Sequence, residues 1–254
     1  MPSESVGARA NTFAVQLSTL RTQFQPVSTP YHPAERYSDL DPIRLRDPLA
    51  VALGVLSEDE RFEYSYADVV RAAGHSCPTA AGAFRMAQLG LSALYPDADD
   101  VPVRGDVSVR IGGPPGETAF GVTGRLLSLI TGAAGEDGFG GLPGGFGRRR
   151  GLLRYDPMAT DGVAVRLARG ATTECESGDD DGGPNDEVVP RVQVTYDVAS
   201  VPGLGEARRH LPAVVDGSAD DGAATVFLEA WHRRVDEVLQ SDDYFTVEPA
   251  DELA

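Results

Sequence analysis

Gly74-His75-Ser76-Cys77-Pro78 is where residue types able to do chemistry meet a backbone position that would tune them. Pro78 suits the first position of a helix, where a missing N–H is no loss, and this makes Cys77 the N-cap. A sulfur there faces unpaired backbone N–H groups and the positive end of the helix, both of which favour thiolate over thiol. His75, two residues earlier, adds an imidazole able to act as metal ligand or base. The pattern points to a soft metal site with His75 and Cys77 as ligands. It is equally compatible with a reactive thiol, in which Cys77 is the catalytic nucleophile and His75 or a distant histidine the base. Two ligands are too few for zinc, so the remaining donors must come from elsewhere in the fold or from a second copy of the chain.

Other candidates carry less chemistry. His32, His210 and His232 read as surface residues, and Cys175, beside the acidic run Asp179-Asp180-Asp181, has no helix start to activate it. The glycine-rich stretch 135–147, which runs into Arg148-Arg149-Arg150, could form a backbone nest for an anion. It matches no phosphate-loop or dinucleotide fingerprint, so a tight loop followed by arginines that balance nearby acids is the preferred reading.

The elements that must position His75 and Cys77 follow from hydrophobic spacing. Short helices are predicted over 47–56 and 66–73, and the strongest helical pattern covers 79–94, where Ala80, Ala83, Phe84, Ala87, Leu91 and Leu94 form one stripe. Residues 103–111 alternate as a half-buried strand, and 121–131 return to helical spacing before Gly132. Strands are expected at 152–155, 163–168 and 192–196, and closing helices at 205–215 and 223–239. Helices come first and most strands later, without a βαβα series, which favours an α+β fold with helices packed on a mainly antiparallel sheet. Residues 1–45 read as a proline-punctuated arm and 46–254 as one domain carrying an acidic insertion at 177–187.

Composition narrows the function. The chain has 254 residues, a formal net charge of −17 and no lysine, all 22 basic residues being arginine. The acidic balance argues against a nucleic-acid partner, and dispersed acids without lysine resemble adaptation to a high-salt cytoplasm. Without lysine there is no Schiff base to a carbonyl or pyridoxal cofactor and no phosphate-loop lysine. Two cysteines in so long a chain do not make a disulfide framework. No run is apolar enough to span a bilayer and residues 1–25 show no cleavable leader, so a cytoplasmic protein without membrane association is expected.

The motif Gly74-His75-Ser76-Cys77-Pro78, followed by Ala83-Phe84-Arg85-Met86, resembles the FmdE family, named after a component of formylmethanofuran dehydrogenase, whose hallmark is Gly-His-x-Cys-Pro-Gly before a Gly-Tyr-Arg-Met-like helix. Leu129-Ile130-Thr131-Gly132 and the glycine-rich loop after it extend the likeness over about residues 60–240. The resemblance implies a cysteine-protease-like α+β fold, an intertwined homodimer, and a metal, usually zinc, near His75 and Cys77; the leading expectation is a dimer with both residues as ligands to zinc or another soft divalent metal in a pocket closed by residues 131–147, open to a small-molecule ligand. Thr79 replaces the glycine after Cys-Pro, Ala133 stands where many members carry a second cysteine, and there is no Cys-x-x-Cys for the zinc finger found in some members. Fold likeness does not fix an activity, so a metal-binding enzyme, a thiol-dependent enzyme and a non-enzymatic accessory or metal-carrier protein all stay open.

Overall fold

The computed structural model describes residues 31–97, 99–170 and 190–250. Cys175, the insertion at 177–187 and most of the arm at 1–45 lie outside them. The described residues divide into two compact units, one holding residues 31–32 and 203–234, the other residues 33–97, 99–170, 190–202 and 235–250.

The second unit holds most of the elements. It begins with the short helix α1 (Pro33–Arg36), strand β1 (Ile43–Leu45), helix α2 (Pro48–Ala52) and strand β2 (Phe62–Tyr64). Helices α3 (Tyr66–Ala73) and α4 (Pro78–Leu94) follow, then β3 (Val107–Ile111) and α5 (Thr118–Thr131). Strands β4 (Leu153–Tyr155), β5 (Val163–Arg169) and β6 (Arg191–Tyr196) come next. In the first unit a 3-10 turn at Gly205–His210 leads into α6 (Leu211–Asp216) and the start of α7 (Asp221–Gln240). Strand β7 (Phe245–Pro249) returns to the second unit.

The main sheet has the order β4-β3-β5-β6-β7 and is antiparallel except for the β3–β4 pair, while β1 and β2 form a separate antiparallel pair. This is the α+β architecture that the element order predicts. One face of the sheet is apolar because alternate residues point the same way. Val107, Val109 and Ile111 on β3, Val165 and Leu167 on β5, and Val194 on β6 are fully buried. Helix α4 packs on β5 and β6, and α5 on β3 and on α4. Gly82 and Gly90 allow that approach, since a side chain at either would collide with Tyr196 or Leu167 respectively.

Several boundaries move for local reasons. The helix expected over 47–56 shrinks to Pro48–Ala52, because Gly54 takes φ 72° and leaves Leu53 and Val55 exposed. The strand expected from 103 begins at Val107, since Gly105 turns the chain at φ 88° and Val103 instead bridges to Arg46. The helix expected over 205–215 is a 3-10 turn followed by α6, whose early proline, Pro212, has no N–H to continue the ladder. Strands β1, β2 and β7 are too short or too exposed to leave a hydrophobic alternation in the sequence.

Candidate functional site at the α3–α4 junction

Helix α3 is closed at both ends by its own residues. Ser65 and Asp68 form a reciprocal capping box at the start, and Gly74 takes the left-handed conformation at the end, its amide donating to the Val70 carbonyl. The next residue, His75, is exposed, and its Nδ1 lies 3.0 Å from the Ala73 carbonyl. A carbonyl can only accept, so Nδ1 carries the proton, and in the neutral ring Nε2 keeps its lone pair.

Cys77 is the N-cap of α4, as the proline predicts. Its backbone is extended, its carbonyl accepts from Ala81 N–H at 2.9 Å, and its Sγ accepts from Ala80 N–H at 3.4 Å. Cys77 is 9% exposed and its thiol is free of any disulfide. His75 and Cys77 therefore flank one residue on one connection, but no hydrogen bond joins them, and the imidazole faces solvent where the sulfur is enclosed.

Between them sits Ser76, which residue type alone does not mark as special. It is buried, and its Oγ lies 3.0 Å from the Tyr37 hydroxyl and 2.9 Å from the Tyr66 hydroxyl. The two tyrosine rings meet edge to face at 4.6 Å. On the other side of the cap, Tyr196 donates its hydroxyl proton to the Pro78 carbonyl at 3.2 Å. The connection is thus pinned at Ser76 and Pro78, which fixes the backbone that presents His75 and Cys77.

The donors predicted to complete a metal site do not gather here. Among the described residues, no group of three or more His, Cys, Asp or Glu side chains could hold a metal ion. His32 is exposed, His210 accepts at Nε2 from Arg209 Nε at 3.2 Å, and His232 stands edge-on to Tyr31 at 5.0 Å.

The glycine-rich loop and the arginines are built into a second feature. The carbonyl of Phe139 takes the amides of Arg149 and Arg150 at 2.9 and 3.0 Å, and Leu142 and Phe146 close a small ring within the loop. Arg149 is buried, and its Nη2 donates to Asp47 Oδ1 at 2.8 Å, while Arg104 Nη1 donates to Asp47 Oδ2 at 3.3 Å. Asp47 also caps α2 through the amides of Leu49 and Ala50. Arg104 in addition donates to the carbonyls of Leu129 and Ile130 near the end of α5. Burial pushes the Arg149 guanidinium below its ordinary range, against the upward pull of Asp47. Burial also raises the phenol of Tyr64, which lies beside Arg104.

Comparison with known proteins matches no family model and no curated sequence.

Proposed function

We propose that the chain is a metal-binding protein of the FmdE type, with His75 and Cys77 as ligands to zinc or another soft divalent metal. The 3.0 Å contact of His75 Nδ1 with the Ala73 carbonyl is the observation that carries this reading. A histidine whose Nδ1–H is anchored on a carbonyl presents Nε2 in fixed orientation, an arrangement typical of metal-ligating imidazoles. Thiolate and imidazole are the donor pair that soft divalent ions take. The donors are right in kind but short in number among the described residues, so a metal site here needs further donors from a second copy of the chain, from water or from a small-molecule ligand. When bound, such an ion would polarise a carbonyl or activate water. The enclosure of Cys77 weighs against its acting as a free nucleophile. No helix among the described residues is long and apolar enough to cross a membrane. A cytoplasmic setting at high salt accords with the charge of −17.

Metal content after expression with zinc and exhaustive dialysis tests the reading. Bound metal is expected in the wild type and is expected to fall to background in Cys77→Ser and His75→Ala. Serine is itself a strong N-cap, so Cys77→Ser should leave the helix start intact. Equal metal in wild type and both variants, or none in the wild type, would remove the proposal.

A further inference from the structure

Apart from the helix junction, the glycine-rich loop and the arginine run border a cavity of about 740 Å³, and neither His75 nor Cys77 lines it. That volume lies within the roughly 300–1,000 Å³ of small-ligand pockets. Arg104, Arg148, Arg149 and Arg150 line the cavity, and three of them are engaged within the protein. Arg104 and Arg149 share Asp47, and Arg148 Nε donates to the Arg150 carbonyl at 3.0 Å. Asp106, the one carboxylate in the lining, acts through its charge on Arg169 and Tyr95.

Arg150 differs from the other three. Its amide donates to the Phe139 carbonyl at 3.0 Å and its own carbonyl takes Arg148 Nε, so its backbone is held at both polar groups. The residue is exposed, and among the described residues no carboxylate pairs with its guanidinium. Nη2 lies 3.8 Å from where a side chain on Gly140 would begin, which sets the guanidinium on the glycine side of the cavity. The opposite character comes from Pro48, Leu49, Phe146 and Leu152, which give an apolar wall. Phe146 is 45% exposed because it occupies the first corner of a turn: Arg148 N–H donates to the Gly145 carbonyl at 3.1 Å, and Gly147 takes the second corner at φ 70°. The rim beside it is bare backbone, since no atom lies within 4 Å of where a side chain on Gly144 or Gly145 would begin.

We infer that this cavity binds a small aromatic monocarboxylic acid, its carboxylate taken by the Arg150 guanidinium and its rings by the wall around Phe146. A guanidinium meets a carboxylate through two parallel charge-assisted hydrogen bonds, and a flat ring stacks on a phenylalanine face. One uncommitted guanidinium beside an apolar wall matches one negative charge on an apolar body. The inference stands independently of the metal proposal because the two sites share no residue.

Isothermal titration of the full chain with 2-naphthoate at one fixed ionic strength tests it, with the neutral 2-naphthylmethanol and the dianionic 2-naphthyl phosphate as comparators. Saturable binding of 2-naphthoate is expected, about ten-fold or more tighter than that of the alcohol. Arg150→Gln should bring the carboxylate down to the level of the alcohol and leave the alcohol unchanged, whereas Phe146→Ala should weaken both. Both side chains are exposed, so both variants should melt as the wild type does. Cys77→Ser should bind as the wild type does. No saturable binding in the millimolar range, unchanged 2-naphthoate affinity in Arg150→Gln, the alcohol binding as tightly as the carboxylate, or the phosphate binding more tightly than it would each overturn the inference.

Discussion

The cap bonds at the α3–α4 junction reach only three residues along the chain, from Ser65 to Asp68 and from Cys77 to Ala80. The wall of the arginine cavity depends on Asp47, which meets Arg104 across 57 positions and Arg149 across 102. The caps of one region are therefore set by neighbours in sequence, the ion triad of the other only once the fold has closed. Their charges differ too. The Asp68 carboxylate at the start of α3 pairs with Arg71 near the surface, whereas the cavity wall holds buried Asp47 between two guanidiniums, so that losing one partner would leave an uncompensated charge.

The largest effect is expected from Asp47→Ala. It removes the carboxylate facing two guanidiniums, one of them buried, and should cost about 3–5 kcal/mol in urea denaturation. A loss below about 1 kcal/mol would show that the triad contributes little and would erase the contrast with the junction. Next comes Gly82→Val, which forces a side chain against Tyr196, the donor to the Pro78 carbonyl. Overpacking of this kind costs about 1–3 kcal/mol. Unchanged stability in thermal melts would mean that the α4–β6 contact yields freely. Ser76→Ala deletes the hydrogen bonds shared with Tyr37 and Tyr66 and should cost about 1–2 kcal/mol. The same variant should reduce metal retention if the pinned backbone positions His75 and Cys77, and metal content in a folded Ser76→Ala protein checks this.

The smallest effect concerns pH at the start of α3. Partial burial pushes the Asp68 carboxyl up, but hydrogen bonds from the Ser65 side chain and amide, with Arg71 nearby, outweigh this and hold it below its ordinary value. A depressed folded-state value means the contribution is full above the unfolded carboxylate value of about 4 and is lost as pH falls through the lower folded value. Stability measured from neutral into acid conditions should therefore decline less steeply through that window in Asp68→Asn than in the wild type. Parallel profiles would show that the capping box carries no pH dependence.

The junction is legible because helix caps follow from residue type and short spacing. Pro78 announces the start of α4 and makes Cys77 its N-cap, and Gly132, which ends α5 at φ 76°, is equally plain. Ser76 is not, because its importance comes from Tyr37, whose sequence distance of 39 residues hides the contact. The glycine-rich loop reads as packed, with arginines balancing acids, and Arg149 does balance Asp47. The loop and arginine side of the cavity is legible as a possible anion nest, but its apolar wall is not, since that comes partly from Pro48 and Leu49, far away along the chain.

By itself the sequence determined the class of fold, the order of the main helices and strands, and the cap that places a sulfur at the head of a buried helix. These depend on periodicity and on backbone groups satisfied within a turn or two. Tertiary structure alone decided that His75 turns outward while Cys77 is enclosed, that Ser76 anchors their connection, and that four arginines share one cavity. The physical reason is that burial and charge pairing are properties of whatever the closed chain brings alongside a residue, and spacing along the chain does not encode them.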